Sequence, residues 1–343
     1  MWSWSEAELQ RLGCFLADRE LCGPSVTAEA IGDGHSNLTF LVSDGQSRVV
    51  VRRPPPPPLP PGAHDVLREA RLLAALSRTP VPAPRVLATL AAGELLDVPI
   101  VVMDFVEGAV ITESTPAASD DTQLRRHIGE SLVDSLAALH NVSWLDIGLG
   151  DFGKPDGFNA RQLRRMRSLV AVDGAVPKTF AALDDWLQAH VPPESATSIV
   201  HNDFRIGNMI VDMNTGHIAA VLDWELATIG DPLADLGYLL TSYPAPGEPL
   251  VPTSTMGTAV LEPGYPTRTE LLDRYADRTG ADVSNVNWYA ALAMYKLAAL
   301  YEYSRRRFED GVGDPYYADP GLVSSFLAAG ERLVSEGSAL ADS

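Results

Sequence analysis

The residues best equipped for chemistry lie between Ile199 and Tyr238. His201, Asp203 and Asn208 follow one another as H-x-D-x-x-x-x-N, and Asp223 comes fifteen residues after Asn208. This set suits phosphoryl transfer to a hydroxyl. That reaction needs a carboxylate to accept or orient the hydroxyl proton, and oxygen ligands to hold magnesium against nucleotide phosphates. Asp203 meets the first need, and Asn208 and Asp223 meet the second. Arg205, two residues after Asp203, adds a cation that could neutralise charge on the transferring group. Asp203 or Asp223 alone could be an ordinary turn or strand-end carboxylate. It is their spacing and flanking elements that favour the chemical reading.

Those elements are short and apolar. Ile199 and Val200 precede the polar loop, Met209 to Val211 follows it, and Ile218 to Leu222 comes after the turn Asn214-Thr215-Gly216. The pattern predicts buried strands with carboxylates where the strands stop, and a functional loop between them. Further on, Asp231-Pro232 fits a helix start, with Asp as cap and Pro at the first helical position. Asp235, in that first turn, could reach back to the loop.

A chain of 343 residues is long enough for two domains. The net charge of −19 argues against a nucleic-acid partner, which would require a basic face. No apolar run approaches the ~20 residues of a membrane span. The stretch MWSWSEAELQRLG lacks the basic-then-apolar pattern of a secretory leader. Cys14 and Cys22 have no metal-site companions and read as reduced thiols. Together these features predict a cytoplasmic protein.

From the start, Ser5 to Leu21 reads as a helix with Ser5 as its cap. Strands follow at Val26 to Ile31, Leu38 to Val42 and Val49 to Arg52, the last pair joined by an Asp44-Gly45 turn. The Gly32 to Asn37 loop between the first two can lay backbone N–H groups over phosphates, or can be a plain turn. Alternation puts Val50 and Arg52 on one face of the third strand, and Val49, Val51 and Arg53 on the other. The proline run Pro54 to Pro61 is a stiff spacer, or a ligand for an SH3-like groove. A helix from His64 to Ser77 carries Glu69, and Ile100 to Phe105 is a last apolar strand before Glu107-Gly108. The remainder is mainly helical. Helices are expected around Ile128 to His140, at Phe158 to Val170, Thr179 to His190, Leu271 to Arg278, Val286 to Phe308 and Gly321 to Val334. Pro244 to Pro266 is a Pro/Gly/Thr-rich loop and a candidate lid.

The central stretch resembles the protein-kinase-like phosphotransferases, and among them the aminoglycoside/choline kinase superfamily. The likeness rests on His201 to Asn208, on Asp223-Trp224, and on Gly230-Asp231-Pro232-Leu233-Ala234-Asp235-Leu236. It implies an α+β, two-lobed fold: an antiparallel-sheet N-lobe, residues 1–107, that binds nucleotide, and a mainly helical C-lobe, residues 108–343, with catalysis and substrate binding. It also implies ATP or GTP with Mg2+ as cofactors. Gly34, Ser36 and Asn37 would then line the nucleotide loop, and Val50, Met103 and Phe105 the adenine side. Arg52 would pair with Glu69 in place of the usual Lys, a departure because Arg is bulkier and not equivalent. Asn37-Leu38-Thr39, Arg52-Arg53-Pro54-Pro55, His64 to Glu69 and Leu149 to Gly153 are similar to the branch associated with acyl-CoA dehydrogenases. This implies such a dehydrogenase as functional partner.

The acceptor is expected to be a small-molecule hydroxyl. Arg161, Arg164 and Arg165 share a helix face and suit phosphate groups such as those of a hydroxyacyl-CoA, or else form a solvated face. An aminoglycoside is the alternative acceptor. A nucleotide-binding pseudoenzyme or scaffold is the alternative of another class, and an adapter working through its proline run is a third.

Overall fold

A computed structural model describes residues 4–32, 37–55, 64–116 and 121–335. The chain divides into two units. The first comprises Met1–Glu107 with Ala219–Glu225, and the second Gly108–Ile218 with Leu226–Ser343.

The first unit contains α1 (Glu6–Ala17), β1 (Thr27–Ile31), β2 (Leu38–Ser43), β3 (Arg48–Arg53), α2 (Val66–Leu76), β4 (Val86–Leu90) and β5 (Ile100–Asp104). The strands form one antiparallel sheet in the order β1-β2-β3-β5-β4. Alternation on β3 sorts its faces as the sequence predicts. Val49, Val51 and Arg53 are buried, while Val50 and Arg52 are only partly covered. Val49 and Val51 join Phe40, Val102, Leu12 and Leu16 in one apolar cluster, so α1 covers this face. Ser5 and Glu8 form a reciprocal capping box at the start of α1. That helix ends at Ala17 rather than Leu21, where Glu20 turns left-handed at φ 57°. Likewise α2 starts at Val66 rather than His64. His64 has φ 60°, and the Asp65 carboxylate caps the helix by accepting the Arg68 N–H at 3.0 Å.

The second unit opens with β6 (Ala109–Val110), α3 (Thr122–His140), α4 (Phe158–Val170), α5 (Lys178–Ala189), β7 (Ser198–Val200) and β8 (Met209–Val211). The chain then passes through β9 (Ile218–Val221), most of which counts with the first unit, to β10 (Thr228–Gly230) and α6 (Leu233–Ser242). It closes with α7 (Pro252–Thr255), α8 (Arg268–Thr279), α9 (Val286–Glu309) and α10 (Pro320–Ser335). The long α9 is the axis of this unit, and α4, α5, α6 and α10 all pack on it. Gly237 lets α6 approach closely, because a Cβ there would lie 2.6 Å from the Tyr289 carbonyl carbon.

The strands flanking the polar loop exist, but they are not each other's partners. β7 pairs antiparallel with β10, and β8 with β6. The Pro244 to Pro266 segment is not an open loop. It holds α7 and a 3₁₀ turn at Thr258–Leu261, and it buries Val251, Thr253, Ser254, Ala259 and Val260. Arg268 fastens it from within, donating to the Tyr243 carbonyl at 2.7 Å and pairing with Glu248 at 2.5 Å. No helix among the described residues is long and apolar enough to cross a membrane.

Candidate active site

Strand β3 delivers Arg52 to the partly covered face of its sheet, and α2 delivers Glu69. Arg52 Nε lies 3.0 Å from Glu69, and its Nη2 lies 2.8 Å from Asp223 and 3.8 Å from Glu225. Glu69 is 5% exposed, so it is a buried ion-pair partner and not a solvated helix residue. Burial pushes its carboxyl up to about 7; Asp223 and Glu225 push the same way, and Arg52 opposes them. Burial disfavours the charged Arg52, but the three carboxylates outweigh it and hold its pKa above the ordinary value. Asp223 is in the left-handed region at φ 64°, a strained conformation for a residue with a side chain. The chain continues into a 3₁₀ turn anchored by Trp224, whose indole N–H donates to the Val221 carbonyl at 2.8 Å. Asn37 joins this set by donating to Glu225 at 3.3 Å. Val50 and Met103 face each other in register on β3 and β5. Phe105 lies under the Arg48 guanidinium, 4.4 Å from ring centre to Cζ. Gly34 and Ser36 fall outside the described residues.

In the second unit the loop after β7 carries the other candidates. His201 is fully buried, its ring edge-on to Phe204. Its Nδ1 accepts the Asp203 N–H at 3.2 Å, which leaves the ring proton to Nε2 and makes His201 an orienting residue. Asn202 has φ 67°. The loop is fixed from α6, where buried Asp235 accepts the N–H groups of His201 at 2.6 Å and Asn202 at 2.7 Å. The same carboxylate meets His140 Nε2 at 3.3 Å, and His140 Nδ1 meets the Tyr275 hydroxyl at 2.7 Å. Burial alone would raise the Asp235 pKa. The hydrogen bonds from His140 and from the His201 backbone N–H counter it, and Asp235 stays below the ordinary carboxylate value. Asp231 works within the scaffold, accepting from Leu233 N–H, Ser195, Asn159 and Tyr289.

Asp203 is held at both oxygens. Tyr238 donates its hydroxyl to Oδ1 at 2.5 Å, and Asn208 donates its amide to Oδ2 at 2.8 Å and to the Asp203 carbonyl at 2.9 Å. Arg205 Nε is 3.6 Å from Oδ1. Gly207 makes room for that guanidinium, because a Cβ there would meet Arg205 Nη1. The Asp203 side chain remains 21% exposed, so a ligand can reach it. With its nitrogen engaged, Asn208 offers only its oxygen to a ligand. Asp223 has one oxygen on Arg52 and a second beyond it. These are hard oxygen donors of the kind magnesium takes. Among the described residues no group of three or more His, Cys, Asp and Glu could hold a metal alone. A cation that arrives with phosphates needs no such cage.

The α4 arginines are unevenly engaged. Arg161 donates to the Lys154 carbonyl, and Arg167 pairs with Asp184 at 3.0 Å, while Arg164 and Arg165 are exposed. Tyr238, Glu225 and Lys296, all in contact with these sets, carried no separate signal in the sequence. Tyr238 alone had an indirect one. It lies three residues after Asp235 on one helix face, so both reach the same loop.

An antiparallel sheet unit, a mainly helical unit and an H-x-D-x-x-x-x-N loop fixed by a helix carboxylate define a protein-kinase-like phosphotransferase. The chain belongs to the phosphotransferase enzyme family, whose pattern matches residues 27–271. It is 31% identical over 318 residues to rat acyl-CoA dehydrogenase family member 11, covering 90% of this chain and 40% of that protein. It spans 25% to 42% of the length of such curated relatives. Among solved structures, a Ralstonia eutropha protein provisionally named an aminoglycoside phosphotransferase superposes with TM-score 0.78 at 28% identity, covering 95% of this chain and 98% of that one. Aminoglycoside phosphotransferase APH(4)-Ia, in complex with AMP-PNP and hygromycin B, shares the fold. Its TM-score is 0.62 at 16% identity, covering 94% and 98% of the two chains.

Proposed function

We propose that this protein is an ATP-dependent O-phosphotransferase acting on a small-molecule hydroxyl. The observation that carries the reading is the Asp203 carboxylate, fixed at both oxygens yet reachable, beside the Arg205 cation. Asp203 orients the acceptor hydroxyl and takes its proton as the oxygen bonds to the γ-phosphorus; ADP leaves and a phosphate ester forms. Arg205 offsets negative charge on the group in transit. Asn208 and Asp223 would supply oxygens to Mg2+, which when bound would neutralise charge on the nucleotide phosphates. Asn37, Val50, Arg52, Glu69, Met103 and Phe105 serve the nucleotide, with Gly34 and Ser36 as further members of that set.

A hydroxyacyl-CoA-like acceptor is supported by the dehydrogenase-named relatives and by exposed Arg164 and Arg165 on α4. An acyl-CoA dehydrogenase is then the natural functional partner. Free Cys14 and Cys22 accord with a cytoplasmic setting. The test is mass spectrometry of candidate acceptors incubated with ATP, looking for a gain of one phosphate. Asp203→Asn should lower turnover by about a thousandfold or more while nucleotide binding stays near normal. Unchanged turnover in that variant would refute the role given to Asp203.

A further inference from the structure

Lys296 lies on α9, and its ammonium reaches the loop residue directly before Asp203. Nζ is 3.3 Å from Asn202 Oδ1. Asn202 itself cannot drift. Its N–H is bonded to Asp235, and its side-chain amide donates to the Leu226 carbonyl at 3.0 Å. The lysine is therefore aimed at a fixed point next to the carboxylate that faces the hydroxyl.

Its charge is poorly answered. One long hydrogen bond serves a group with three donors, and among the described residues no carboxylate lies within ion-pairing distance of it. The two acids whose charges act on it are committed elsewhere. Asp235 accepts from His201, Asn202 and His140, and Asp203 from Tyr238 and Asn208. The packing of α4 on α9 brings a second cation, Arg165, into electrostatic range, where it repels Lys296. Burial and Arg165 together hold the Lys296 pKa below its ordinary value, against the pull of Asp235 and Asp203. In a chain with net charge −19, Lys296 has no acid paired to it among the described residues, and the helix that carries Arg165 packs on its own helix. Such an arrangement is costly alone and favourable once an anion arrives.

We propose that Lys296, with Arg165, anchors an anionic group of the acceptor beside Asp203 and so selects anionic over cationic hydroxyl compounds. This rests on the phosphotransferase reading above and adds the residues that set acceptor charge. A carboxylate and a phosphate monoester share the required chemistry. Arg161 and Arg167, occupied by the Lys154 carbonyl and Asp184, are not part of the anchor.

Two measurements test it. The first is titration calorimetry of the full chain with 4′-phosphopantetheine and, separately, hydroxybutyrate, which distinguishes a phosphate anchor from a carboxylate anchor without requiring turnover. Binding of at least one probe should weaken about tenfold or more in Lys296→Gln and in Arg165→Gln, and recover in Lys296→Arg. The second is steady-state kinetics with the acceptor found by the phosphate screen. Lys296→Gln should raise acceptor KM by a similar factor with kcat nearly kept, and KM should climb with salt. A purely structural lysine would instead lower melting temperature and kcat together. Wild-type protein that binds neither probe, or Gln variants that bind as wild type does, would overturn the anchor. Asp203→Asn keeps the binding and loses the turnover, so failure of the catalytic reading shows separately.

Discussion

Replacing Glu69 with Gln should stabilise the protein at neutral pH, although it removes the ion-pair partner of Arg52. Burial, reinforced by Asp223 and Glu225, lifts the folded-state pKa of Glu69 from 4.5 to about 7. A carboxyl whose folded pKa lies above its unfolded one binds its proton more tightly when folded. Its contribution is fully present below pH 4.5 and is lost as pH rises to about 7. A shift of that size corresponds to about 3 kcal/mol. Gln is close in shape to the protonated acid and does not titrate, so the variant keeps near pH 7.5 what the wild type has lost. Urea denaturation of both proteins from pH 5 to 8 isolates this one group, because other titrations cancel in the difference. Wild-type stability minus variant stability should fall through that window by about 2–3 kcal/mol. Trp224 offers a local check, since its backbone N–H bonds to Glu69 and its buried indole reports on the same turn. A difference that stays flat, or that grows with pH, would mean the Arg52 attraction outweighs burial and would refute the reasoning.

Tyr238→Phe removes a hydroxyl donor from Asp203 without changing shape, and should cut kcat about tenfold in the phosphate-transfer assay while altering stability by about 1 kcal/mol. Asp235→Asn weakens the anchor of two loop N–H groups and should cost about 2 kcal/mol at pH 7, read by thermal unfolding. Because the folded pKa of Asp235 is depressed, its stabilisation is present above about pH 4 and lost on acidification, so that penalty should shrink as pH falls through this range. Asp223→Ala should abolish magnesium-dependent ATP binding in calorimetry; binding equal to wild type would remove Asp223 from the metal set.

The grouping of the loop residues was legible because their spacing is local. His201, Asp203 and Asn208 lie within one turn-sized segment, and Asp231 and Asp235 sit where helix-start chemistry puts them. The alternation on β3 likewise marked Arg52 and Val50 as one face. What was not legible depends on contacts far apart in the chain. Nothing near Lys296 in sequence says that it meets Asn202, 94 residues earlier. Nothing in Ile218 to Leu222 says that most of that strand groups with the unit built from Met1–Glu107. The Pro244 to Pro266 segment looked open because Pro, Gly and Thr usually mark loops. Buried Arg268, which comes after it, holds it as packed structure instead.

Arg52 also explains why a guanidinium can stand where related folds use an ammonium. Its fork presents Nε to Glu69 and Nη2 to Asp223, two carboxylates on different elements, in one planar arrangement. A lysine is a point charge and would have to favour one of them. Glu225, at 3.8 Å from the same Nη2, brings a third acid to one fixed cation. The balance is negative, and it adds to burial in raising the Glu69 pKa. A local excess of carboxylate repels bare phosphate and attracts a divalent cation. If the proposed function holds, that physics would make the set formed by Arg52, Glu69, Asp223 and Glu225 favour a nucleotide that arrives with its metal over one that arrives without it.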